Sequence, residues 1–142
     1  MPDAAALMEQ SLLKLAASGV ELRHGLYERF FAEFPARRAD FLCPEATSIR
    51  MTDETLQMMY GLAAGESWVW PLVAELSYTH RAYGKLPIAE YDAFVDMTVA
   101  QLAAILGDDW SEAEAKAWSA QAERLKVLIS KAQAEWEQVL PR

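Results

Sequence analysis

Two histidines and one cysteine are all the imidazole and thiol ligands that this 142-residue chain offers. Cys43 has no second thiol to meet, so an internal disulfide is excluded. His24 and His80 stand far apart, and no H-E-x-x-H, C-x-x-C or paired Glu-x-x-His pattern occurs. Zinc and di-iron centres built from protein ligands are therefore excluded. Basic residues are outnumbered by acidic ones, 13 against 21, for a formal net charge of −8. No basic face is available for nucleic acid, and an anionic membrane surface would repel rather than attract. The opening "MPDAAALMEQ" lacks both a basic leader and a long apolar run. Neither a signal peptide nor a membrane span is expected, and the expected location is cytoplasmic. Alternating, β-branched runs are also scarce, which argues against a sheet.

What the chain does contain is apolar and aromatic: 53% hydrophobic residues, with five each of Trp, Tyr and Phe. That suffices for one domain over residues 1–142 with a real core. Helical periodicity runs throughout. A first helix is predicted over about Ala4–Ala17, stopped at Ser18–Gly19, and a second over Val20–Phe34, stopped at Pro35. "PARRADF" reads as a short helical turn. "LCPEATSIR" reads as a loop or corner, and "TDE" at Thr52–Glu54 as the capped start of a helix closed by Gly65. From Trp68 a further helix carries Val69, Val73, Leu76 and His80 at spacings of 4, 3 and 4, with Gly84 and Pro87 at its exit. Ile88–Leu106 and a last helix opened by the capping box Ser111–Glu114 complete an all-α chain of six or seven helices.

His80 shares the face of its helix with apolar residues. Burying an imidazole without a partner costs a few kcal/mol, about 1–3 by protein mutational data. It is therefore either a hydrogen-bonded core residue or a ligand. One metal arrangement needs a single protein ligand: haem iron, whose equatorial bonds come from the porphyrin.

The residues around it resemble a known family over essentially the whole chain. "LAASGVELRHGLYERFFAEFPARRADF", "LSYTHRAYG" and "YDAFVDMTVAQLAAILGDDWSEAEAKAW" are similar, in that order, to the bacterial single-domain globins and the globin domain of flavohaemoglobins. The resemblance implies a globin fold of six to eight helices around a haem b pocket. It assigns His80 to the iron as proximal ligand, with Leu76 a turn before it on the pocket wall. Tyr27 takes the distal tyrosine position, where its hydroxyl would donate to a bound gas, and Phe41 braces the porphyrin. Tyr91 takes the proximal-side tyrosine position. The family's partnering glutamate on the last helix corresponds here to Gln133, which cannot carry the negative charge that strengthens imidazole's push on iron. That argues against strong oxygen activation. The distal position falls on Met51, with Thr55 the next inward residue. A helix starting at Thr52 would instead offer Thr52 or Ser48. Met51 is a pocket lid or, less simply, a sixth ligand.

The implied function is reversible binding of a diatomic gas (oxygen, nitric oxide or carbon monoxide). Slow nitric oxide dioxygenation or peroxidase-like chemistry would draw electrons from a separate reductase. The rival is a haem-free globin-fold interaction or regulatory module, in which His80 is a core residue and "SWVWP" at Ser67–Pro71 a docking patch. His24 is read as a surface or interhelical residue.

Overall fold

The computed structural model describes residues 3–139, all within helices and short connections, with no strand among them. Six α-helices follow one another: α1 Ala4–Ser18, α2 Leu22–Glu33, α3 Pro44–Ala64, α4 Val69–Thr79, α5 Ile88–Leu106 and α6 Glu112–Val139. Short 3₁₀ helices fill Pro35–Asp40, His80–Tyr83 and Gly107–Asp109. The all-α class is thus as expected. No helix among the described residues is long and apolar enough to cross a membrane.

Most boundaries fall where local chemistry puts them. The Asp3 carboxylate accepts from the Ala6 amide at 2.8 Å, satisfying a donor that the first turn leaves open. Gly65 closes α3 in a left-handed conformation (φ 73°), and the Glu66 and Gly65 amides return to the Gly61 and Leu62 carbonyls. A side chain at 65 would strain that turn. The Arg124 guanidinium, from α6, donates to the same Leu62 carbonyl at 3.0 Å. The capping box forms as expected: the Glu114 amide donates to Ser111 Oγ at 3.0 Å and the Ser111 amide to the Glu114 carboxylate at 3.1 Å.

One stretch departs from expectation. Residues 44–50, read as a corner, are the first turns of α3, and Thr52–Glu54 lies inside the helix rather than at its start. Pro44 is the reason. It stands at the first helical turn, where a missing amide costs nothing, so the helix begins two turns earlier than the Thr-Asp-Glu signal suggests.

α6 is the organising element and packs on α1, α3, α4 and α5. Its buried Trp118, Ala122, Leu125, Ile129 and Ala132 lie on one stripe against Met8, Met59, Val73 and Leu102. α2 crosses α5 at Gly25, where an added methyl would run into the Gln101 side chain. α3 and α4 approach closely at Gly61, which faces Val69 and Trp68. Trp68 covers that contact while remaining 40% exposed, and Trp70 lies half-buried beneath the Lys131 ammonium. Between α3, α4 and α5 the packing opens.

Candidate functional site

A cavity of about 480 Å³ separates α3 from the exit of α4 and the start of α5, a size typical of small-molecule sites. Phe41, Met51, Thr55, Leu76, His80 and Tyr91 all line it, and most of its wall is apolar. These residues come from the connection before α3, from α3 itself, from α4 and its exit, and from α5. Because α3 begins at Pro44, Met51, Thr55 and Met58 are successive residues on one helical face, at the four- and three-residue steps that stack side chains. Ser48 and Thr52, the other candidates for the distal position, are not among the lining residues. Ser48 is buried in a bond with Arg23 at 3.0 Å. Thr52 Oγ1 is buried without a partner.

His80 follows α4 directly, as the first residue of the 3₁₀ turn. Val69 and Val73, earlier on the same stripe, are fully packed; Leu76 and His80 emerge from the core onto the cavity wall. The answer to an imidazole on an apolar face is thus that the face runs out of protein to pack against. The His80 ring spends Nδ1 on the Leu76 carbonyl, 2.8 Å away. That bond makes Nδ1 the donor and leaves the Nε2 lone pair without a protein partner among the described residues. Burial, reinforced by the Arg50 charge, pushes His80 below its ordinary pKa against the opposing pull of the Leu76 carbonyl and Glu54. The ring is therefore neutral at pH 7, the form that ligates metals. Its ring centre lies 5.8 Å from that of Tyr91 and 6.3 Å from that of Tyr83.

Tyr27 stands differently from the other six. It does not line the cavity; its ring packs against two residues that do, Phe41 at 5.4 Å and Phe94 at 5.5 Å. Its hydroxyl is buried, has no hydrogen-bond partner, and is held protonated by burial. A buried phenol without a partner is uncommon and costs stability. Thr55, by contrast, has spent its hydroxyl on the Met51 carbonyl at 2.7 Å.

The mouth of the cavity is polar and was not visible in the sequence. Arg37 forms a two-pronged pair with Glu90, 53 residues away, and also reaches Asp40 at 3.4 Å. Arg50 pairs with Glu54 along the exposed face of α3 at 2.9 Å. Only the second pair has a sequence signature, its four-residue spacing. His24 lies on the surface beside Glu21.

Behind His80, on the side of α6, lies a second and smaller cavity of about 340 Å³. His80 and Tyr91 line both spaces, and Gln133 lines the second, where its amide nitrogen donates to the Leu86 carbonyl at 2.8 Å. Burial pushes the Tyr91 hydroxyl up to about 12, so it remains a donor at neutral pH. Among the described residues, no three or more His, Cys, Asp and Glu side chains converge as a metal site. Compared with protein-family models and with curated proteins, the chain matches none of either.

Proposed function

We propose that the chain is a haem protein of globin fold that binds a diatomic gas reversibly, with His80 as its ligand to the iron. The observation that carries this reading is the convergence of Phe41, Met51, Thr55, Leu76, His80 and Tyr91 on one largely apolar cavity around an imidazole with a free Nε2. Haem b, when bound, supplies an iron with a coordination position open to oxygen, nitric oxide or carbon monoxide. The donor set suits that group. A single neutral imidazole is what a porphyrin iron asks of a protein, and the Leu76 carbonyl on Nδ1 is the outer partner that fixes its tautomer. Phe41 and Phe94 offer flat faces for the macrocycle, while Met58, Leu125 and Ile129 keep water from the interior. Arg37 and Arg50 stand at the mouth, where they would meet two propionates only by giving up their present pairs with Glu90, Asp40 and Glu54.

Tyr27 is the proposed donor to the gas. Its hydroxyl is protonated, buried and uncommitted behind Phe41 and Phe94, so it would reach a bound gas only with those rings shifted; a donor in a dry environment favours the more polarised ligand. Met51 and Thr55 line the distal wall, with Met51 as lid. Slow nitric oxide dioxygenation or peroxide turnover would require an electron source. Gln133, with no negative charge, gives the imidazole little extra push towards such chemistry.

Titration of the purified chain with hemin tests this directly. A strong Soret band that saturates at one hemin per chain, and that His80→Ala weakens and shifts, is the expected result. A chain that stays colourless would favour the haem-free interaction module, with the partly exposed Trp68 as its contact.

A further inference from the structure

The connection between α2 and α3 runs along the mouth of the larger cavity. Arg37, Asp40 and Phe41 from it line that space, as do Glu90, Tyr91 and Phe94 of α5. Pro35–Asp40 contains no buried residue. It is a short 3₁₀ helix, a form whose hydrogen bonds are poorer than those of an α-helix. Leu42 and Cys43, which lead on to α3, are exposed and lie outside any helix. Residues 35–41 are thus a thin strap, joined to α3 through open backbone.

Most of what holds the strap is local to α2, the helix it packs on. The Arg38 guanidinium lies 4.6 Å from the Phe31 ring centre, and the Phe41 ring centre 5.1 Å from the same ring. The Arg37 and Phe41 amides bond back to the Phe34 and Arg38 carbonyls, and Asp40 pairs with Arg37 within the strap. Among the described residues, the hydrogen bonds and ion pairs that tie the strap to another element all run from Arg37 to Glu90, in the first turn of α5. That pair is two-pronged, with Nη2 2.9 Å from Oε2, and its side chains are only 28% and 14% exposed. A forked bond fixes direction as well as distance, and partial burial spares it much of the screening by salt. Arg50–Glu54, by contrast, lies within one helix and fastens no element to another.

We propose that residues 35–41 form a strap over the larger cavity, latched by the Arg37–Glu90 pair, and that opening of this latch limits how fast a ligand enters and leaves. An uncharged ligand has nothing to exchange for Glu90 on Arg37, so the latch closes alike over the empty and the filled cavity. It then slows both directions and leaves affinity nearly unchanged. The proposal stands on the strap and the cavity, whatever the occupant; hemin titration decides the haem reading separately.

Nile red, apolar and uncharged, is the probe, mixed with the full chain in stopped flow and followed by its fluorescence. Glu90→Gln should speed entry and exit alike, about three- to tenfold, with the dissociation constant within about twofold of that of the unmodified chain. Arg37→Gln should do the same. The double variant should be no faster than either, since all three lack one and the same bond. Without any ligand, hydrogen exchange read by NMR should be faster by a similar factor at the Arg37 and Phe41 amides in Glu90→Gln, while the amides of the fully buried Leu102 and Leu125 keep their protection. Entry rates unaltered by both substitutions, an altered affinity with an unaltered entry rate, additive effects in the double variant, or unaltered exchange at residues 37 and 41 would each overturn the latch. Failure of Nile red to enter any of the chains would overturn it too, since the cavity would then admit no apolar molecule for a strap to control.

Discussion

Near its start α6 buries Glu114 and Trp118 against α1 and the core; near its end the same helix turns Gln133 and Trp136 towards a cavity. Both ends follow one helical stripe, yet their polar groups meet opposite fates. The Glu114 carboxylate, 1% exposed, is held by Ser11, by Lys14 at 2.8 Å and by the Ser111 amide. Burial works against that charge, but Lys14, Ser11 and Ser111 outweigh it and pull the carboxyl down to about 2. At the other end, and one layer away in α2, hydroxyls of Ser77 and Tyr27 are buried without partners. Trp118 and Thr52 are exceptions, the indole N–H of the one and the hydroxyl of the other being buried without partners although neither residue lines a cavity. The contrast separates the place where stability is concentrated from the place where groups remain open for a ligand.

Trp118→Ala tests the packed half and carries the largest expected effect. It empties a fully buried indole and should cost about 3–5 kcal/mol, read as a lowered denaturant midpoint. A cost near that of an exposed substitution would break the division.

The Glu114 network comes next. Its carboxyl lies near 2 when folded against an ordinary 4.5, so the folded state favours the charged form. The resulting stabilisation, about 3 kcal/mol, is complete above pH 4.5 and is lost as pH falls from there towards 2. Denaturant unfolding across that window should show the loss, and Glu114→Gln should flatten it while lowering stability at pH 7. A mutant whose acid limb matches that of the unmodified chain would place the titrating group elsewhere.

In the open half the order reverses: ligand effects exceed folding effects. His80→Ala should lower hemin affinity more than about a hundredfold, since outer partners of a metal-bound histidine alone account for tenfold or more. Without hemin its unfolding midpoint should shift by less than that of Trp118→Ala. Equal folding losses at the two sites would mean that His80 is core rather than cavity wall.

Tyr27→Phe is the finest probe. It removes a hydroxyl that bonds to nothing in the protein, so folding should change by less than about 1 kcal/mol. Oxygen release from the hemin-loaded, reduced chain should accelerate about tenfold or more, with carbon monoxide release much less affected. Equal acceleration of both gases would rule out Tyr27 as a donor to the bound gas.

The helix stops were legible because Gly and Pro act locally: Gly19, Gly65, Gly84, Gly107 and Pro35 each end or bracket an element. The start of α3 was misread for the same reason. Thr52-Asp-Glu is a sound local signal, but Pro44 had already supplied an earlier start, and local signals do not rank themselves. That error was what kept Ser48 and Thr52 in contention with Met51. Leu76, His80 and Tyr91 were readable as members of helical stripes, whereas Met51 and Thr55 on α3 came from the family resemblance and not from spacing. Arg37 with Glu90, and Glu114 with Lys14, lie too far apart in sequence for any pattern to pair them. The position of Tyr27 behind Phe41 and Phe94, rather than on the wall, depends on ring packing that spacing does not encode.

Resonance Raman spectroscopy of the hemin-loaded, ferrous chain addresses the bond on which the functional account depends. An iron–imidazole stretching band should be present in the unmodified chain, vanish in His80→Gly, and return when free imidazole is added to fill the space left. A band that survives in His80→Gly without added imidazole would show that another residue holds the iron, and would contradict the account.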